Sequence, residues 1–126
     1  MSKWQYFTDD ELRCKGHNCC GGEVMMDATF MYKLDSMRRN AGFPFIVTSG
    51  YRCPDYNDKI SSTGRDGPHT TGKAVDIAVR GTQAHTVLKL ALASGITGVG
   101  VDQKGESRFI HLDSLTEGTR PWVWSY

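Results

Sequence analysis

The chain has 126 residues, 39% of them hydrophobic and 23% charged, with a formal net charge of +1. That length suits one domain with a real core rather than two, and the composition is that of a soluble globular protein. A near-neutral charge gives no basis for binding nucleic acid, and no apolar run approaches the roughly 18 residues that a membrane-inserted span needs.

The stretch from Met1 to Phe7 has no apolar signal core, so the expectation is a chain made in the cytoplasm without an export signal. Residues 1–22 are polar and carry Cys14, Cys19 and Cys20; they read as an irregular N-terminal arm of a single domain spanning 1–126. Met26, Phe30, Leu34, Met37 and Ala41 then fall at helical spacing, and Gly42 is a suitable stop. Residues 45–48, Phe-Ile-Val-Thr, form a short β-branched run that predicts a buried strand. Residues 50–67 read as loop, with Pro54, Asn57 and Asp66-Gly67 among them.

Residues 73–79 alternate and are β-prone. Thr82 can cap a second helix with the stripe Ala84, Val87, Leu88 and Ala91, closed by Gly95. Residues 96–101 and 108–112 predict two more strands joined by a turn at Gln103-Lys104-Gly105. The aromatic tail, 120–126, packs on the core or lines a groove; for Trp122 and Trp124 packing is the favoured role over a ligand platform. Without a regular βαβ alternation, these elements predict an α+β domain with a mainly antiparallel sheet packed against helices.

Three residues have the chemistry of a metal site. His69 ends the long loop, Asp76 lies on the following strand, and His111 lies on a late strand in Phe109-Ile110-His111-Leu112-Asp113. Strand alternation puts His111 and Asp113 on one face and Ile110 and Leu112 on the other, so the apolar pair can face the core. Two imidazoles and one carboxylate suit zinc and leave a fourth position for water, whose pKa the ion lowers. From spacing alone, a surface or hydrogen-bonded role for these side chains competes with that reading. His17 and His85 are assigned no role.

Read together, Ser49-Gly50-Tyr51-Arg52-Cys53-Pro54 with Asn57, His69-x-x-Gly72-x-Ala74-x-Asp76, and His111-x-Asp113 resemble the zinc D-Ala-D-Ala carboxypeptidase and L-alanyl-D-glutamate endopeptidase family. The resemblance runs from about Phe7 to Trp124. It implies a hedgehog/DD-peptidase fold, with His69, Asp76 and His111 as zinc ligands and Arg52 in the active site. It implies a peptidoglycan peptide as substrate, hydrolysed at an amide of the stem peptide or crosslink. The absent export signal suits a phage-type lysin released to the wall, and a monomer is expected.

One position departs from the family pattern. Where many members carry a carboxylate three residues before the last histidine, this chain has Arg108, which stays protonated. Glu106 and Asp113 are the available replacements, with Glu106 favoured as general base and Asp113 as the group that orients a ligand. The departure keeps open a non-catalytic zinc-binding module on the same fold, used in recognition or virion structure. The four cysteines allow one or two disulfides tying the arm to the loop at Cys53, a structural metal site, or free thiols; a disulfide is the expected state.

Overall fold

The computed structural model describes residues 3–126, so Met1 and Ser2, part of the stretch read for an export signal and of the arm, lie outside the described residues. The arm contains one regular turn, α1 (Asp9–Leu12). Thr8 and Glu11 form a reciprocal capping box: the Thr8 N–H donates to the Glu11 carboxylate at 2.8 Å, and the Glu11 N–H donates to the Thr8 hydroxyl at 3.3 Å. The cap holds a turn too short to show hydrophobic periodicity. It directs Leu12 into the core, where Phe7 is buried beside it.

The first long helix, α2 (Ala28–Ala41), begins at Asp27, whose carboxylate accepts the Phe30 N–H at 2.9 Å, and ends at Gly42 in the left-handed conformation. Its stripe buries Phe30, Met31, Leu34 and Met37. Strand β1 (Ile46–Ser49) follows. The expected loop 50–67 holds instead a helix, α3 (Pro54–Ile60), and a 3₁₀ turn, Gly64–Asp66. Cys53 caps α3 and Pro54 starts it, both local signals. The helix buries Asn57 rather than an apolar stripe, so periodicity is silent there.

A second 3₁₀ turn, Pro68–Thr71, leads into β2 (Ala74–Ala78). Helix α4 (Gly81–Ala93) starts just ahead of Thr82, with Arg80 at the cap position and no side-chain cap. Strands β3 (Gly98–Asp102), β4 (Phe109–Asp113) and β5 (Trp122–Ser125) complete the sheet. No helix among the described residues is long and apolar enough to cross a membrane.

The sheet order is β1-β2-β4-β3-β5. The first three pairings are antiparallel, whereas β5 lies parallel to β3, so the sheet is mixed. The aromatic tail is therefore an edge strand, anchored where the Trp122 N–H donates to the Thr97 carbonyl at 2.8 Å.

Register decides what each sheet face carries. Val75 pairs with Leu112 and Ile77 with Ile110, and these side chains join α2 and α4 in the core. Each such fully buried aliphatic side chain contributes about 1.5–3 kcal/mol over an exposed one. The opposite face takes the alternate residues: Asp76 opposite His111, and Ala74 opposite Asp113. The same face of β3 offers Gly100 opposite His111 and Gly98 opposite Asp113.

Candidate metal centre

His69, Asp76 and His111 converge on that second face, with one donor atom from each within 4.8 Å of the others. His69 Nε2 lies 3.3 Å and His111 Nδ1 3.0 Å from the same Asp76 oxygen, Oδ1. Donors about 2.0–2.1 Å from a tetrahedral zinc ion stand about 3.3 Å apart, so the spacing fits such an ion.

The remaining nitrogen of each imidazole is engaged on the far side. His69 Nδ1–H donates to the Gly50 carbonyl at 2.8 Å, which leaves the Nε2 lone pair for the centre. His111 Nε2 lies 2.8 Å from Asp113 Oδ2, which frees Nδ1 once an ion replaces its proton. A carboxylate or carbonyl behind each ligating imidazole is the pattern that fixes tautomer and ring orientation at metal sites.

Burial and partners set the charges. Burial would push the Asp76 carboxyl up, but hydrogen bonds from His111 and His69 overcome it and hold that group far below the usual carboxylate range. Burial pulls His111 down, yet its hydrogen bonds to Asp113 and Asp76 win and raise it. Burial also opposes ionisation of Asp113, but Arg120 and His111 bring its carboxyl down to about 2. Asp113 is fully enclosed and held by the Arg120 fork, Nε to Oδ1 at 2.8 Å and Nη2 to Oδ2 at 2.7 Å.

Arg52 stands beside the trio. Its Nε donates to the Ser49 hydroxyl at 3.0 Å, its Nη1 to Asn57 Oδ1 at 3.1 Å, and its Nη2 lies 3.6 Å from Asp76 Oδ2. Asn57 is itself fastened, donating to the Gly64 carbonyl and the Thr63 hydroxyl. The Arg52 N–H donates to the His69 carbonyl at 3.1 Å, so the segments carrying Arg52 and His69 hold each other through both backbone and side chain. These four groups line an open cleft of about 520 Å³, with Trp122, Trp124 and Tyr126 along one wall and Ser61, Ser62 and Thr63 also lining it.

The sequence model of the peptidase M15 family matches residues 5–113. The chain belongs to the peptidase M15 family. It is also similar to proteins named peptidoglycan L,D-endopeptidase MepK from Escherichia coli K12, Escherichia coli O157:H7 and Shigella flexneri, with 32% identity over 83 residues in each case. The aligned part is 63% of this chain and 43% of each relative, so the chain aligns with less than half the length of these relatives.

Glu106 and Asp113, the two candidates for the general base of this M15 protein, both lie outside the cleft lining. Glu106, expected as general base, is exposed and lines a separate depression with Thr48, Arg80 and Gln83. The β3–β4 turn is drawn that way by its own backbone, because Arg80 donates to the Glu106 carbonyl at 2.7 Å and Arg108 Nε to the Gly105 carbonyl at 2.8 Å. Asp113 sits behind His111 with both oxygens occupied, which suits the orienting role and not that of a base. Among the described residues lining the cleft, Asp76 is the sole carboxylate side chain.

The two tryptophans of the tail divide: Trp124 takes the expected packing role, and Trp122 does not. Trp122 is 56% exposed on the cleft wall, and the Trp124 ring stands 5.2 Å from that of His111 with the Arg120 guanidinium 4.9 Å from its centre. Arg120, Gly98 and Gly100 escaped the sequence reading. A Cβ at Gly98 would meet Asp113 Oδ1 at 2.1 Å, and one at Gly100 would meet Trp124 Nε1 at 2.6 Å, so both close approaches need glycine. The alternating Gly98-x-Gly100 was the available signal. At Gly72 the crowding is with the Met25 carbonyl rather than with the centre. His17 and His85 are exposed. The four cysteines are not joined by the expected disulfides.

Proposed function

We propose that this chain is a zinc-dependent peptidase that hydrolyses an amide bond in the stem peptides or crosslinks of peptidoglycan. In this reading residues 1–126 form one hedgehog/DD-peptidase-like domain that works as a monomer. The observation that carries it is the convergence of His69, Asp76 and His111 on the floor of an open cleft, each imidazole backed on its far side. M15 membership and the peptidoglycan L,D-endopeptidase name of the relatives support the substrate and the endopeptidase type.

His69 Nε2, His111 Nδ1 and an Asp76 oxygen would hold the ion. Zinc in such a site supplies a Lewis acid for a peptide carbonyl and lowers the pKa of water towards about 7. The chain's own groups do the rest. Asp113 and the Gly50 carbonyl keep the two imidazoles aimed at one point. Arg120 keeps Asp113 ionised and in place. Arg52, braced by Ser49 and Asn57, offers a fixed cationic fork to a substrate carboxylate or to the oxyanion that develops at the attacked carbonyl. The aromatic tail gives an extended peptide a wall to lie against.

Purified chain incubated with cell-wall sacculi tests this. Release of peptide fragments that stops with a chelator and returns with zinc is the expected result, and mass spectrometry of defined muropeptides then identifies the bond. Zinc binding at the trio without any fragment release would replace the peptidase with a non-catalytic zinc-binding module.

A further inference from the structure

Cys14, Cys19, Cys20 and Cys53 take no part in the proposed hydrolysis, yet their sulfurs gather within 4.8 Å of one another. We propose that these four cysteines bind a second zinc ion, as a closed structural site with four thiolate ligands. Zn–S bonds of about 2.3 Å in a tetrahedron place neighbouring sulfurs about 3.8 Å apart. Cys14 and Cys19 stand 3.8 Å apart, and Cys19 and Cys20 3.9 Å. His17, in the same loop, is exposed and outside the donor group, so the ligand set is all sulfur.

The backbone is arranged around the sulfurs as a thiolate site requires. The Cys53 N–H points at Cys14 Sγ at 3.3 Å, the Glu23 N–H at Cys20 Sγ at 3.4 Å, and the Tyr56 N–H at Cys53 Sγ at 3.5 Å. Amides directed at ligand sulfurs disperse their charge and fix their direction. Asn18 adopts a left-handed backbone with φ 58°, which doubles the chain back between Cys14 and the Cys19-Cys20 pair. The Cys14 N–H closes the loop on the Glu23 carbonyl at 2.8 Å. Cys14 and Cys53 are buried against Tyr51, with Met26 and Tyr56 packed around, and Cys19 and Cys20 are half-buried at the edge of the same cluster.

The ion would join two segments distant in sequence. Cys53 directly follows Arg52, and the Tyr51 N–H already donates to the Leu12 carbonyl at 2.8 Å. A metal at the cysteines therefore fastens the arm to the segment that delivers Arg52 to the cleft. It also supplies folding free energy to residues 13–23, where regular structure is absent.

The test is metal analysis of the full chain purified under reducing conditions, beside a His69→Ala/His111→Ala variant. We expect two zinc ions per wild-type chain and one in the variant. Cobalt exchanged into the variant should show thiolate-to-metal charge transfer in the near ultraviolet, and adding Cys19→Ser/Cys20→Ser should abolish it. Should the serine variant not fold, a mercurial reagent titrated into the His69→Ala/His111→Ala protein should release zinc in step with thiol modification. Folded His69→Ala/His111→Ala protein without zinc, cobalt without a thiolate band, or thiols that react with no zinc released would each overturn the proposal. So would disulfides among these cysteines in protein freshly purified under reducing conditions. None of these outcomes depends on peptidase activity.

Discussion

Among the described residues, side chains that could hold a metal ion gather at two places, and the two are built in opposite ways. On the sheet face, two nitrogens and one oxygen come from β2, β4 and the turn before β2, and the space above them opens into a cleft. In the arm, four sulfurs come from a tight loop and a helix cap; aromatic and thioether side chains pack around Cys14 and Cys53, and Cys19 and Cys20 are half-buried beside them. Three donors with an open side leave room for a reacting molecule, while four donors around one ion leave none. Backing partners differ in the same sense. In the open centre His111 is backed by an ionised pair, Asp113 and Arg120, and His69 by the Gly50 carbonyl; at the cysteines, backbone amides point at the sulfurs.

Breaking the open centre should have the largest effect. His111→Ala removes a donor, and with the ion goes several kcal/mol of transition-state stabilisation, roughly 10³-fold in hydrolysis of a defined muropeptide. Metal analysis of the same variant should show the arm zinc still present. Loss of both ions together would mean that the two regions are one cooperative unit and would dissolve the contrast between them.

Arg52→Lys comes next. It keeps the charge but loses the fork that Ser49 and Asn57 hold in place, and kcat/KM should fall by about 10²-fold with the zinc content unchanged. A wild-type rate in this variant would show that only positive charge is needed there. Asp113→Asn should act on the metal instead. The His111 contact survives in neutral form while the Arg120 pair weakens, so zinc affinity at the cleft should drop by about tenfold, read by competition with a chromophoric chelator.

Much of this contrast was legible in the sequence on one side and not on the other. Strand alternation around His111 foretold which side chains face the core and which face the site, because a period of two tolerates no slip once Ile110 and Leu112 are buried. The spacing of Phe30, Leu34 and Met37 foretold α2 for a similar reason. What escaped were features that long-range contact decides. Helix α3 buries a polar residue, Asn57, and carries no apolar stripe. The tail pairs with β3 in parallel, a choice no local pattern encodes. Gly98 and Gly100 make room for side chains from β4 and β5 that meet them only in the folded chain. The cysteines were visible as a cluster, but Cys53 joins the others from across the chain, and their spacing matched no knuckle.

The smallest effect should come from Glu106→Gln. Proximity along the sequence, five residues before His111, made Glu106 an attractive base, and the β3–β4 turn cancels that proximity. The turn presents the Glu106 carbonyl to Arg80 on the β2–α4 side, and the side chain lines the depression there, outside the lining of the cleft. A proton acceptor must come within about 3.2 Å of the proton it takes, directly or through one water. Hydrolysis by the Glu106→Gln protein should therefore stay within about twofold of wild type, since surface changes away from special features shift energies by about 0.5 kcal/mol or less. A loss of 10²-fold or more, the scale of a lost general base, would instead show that the turn swings across the cleft when substrate arrives.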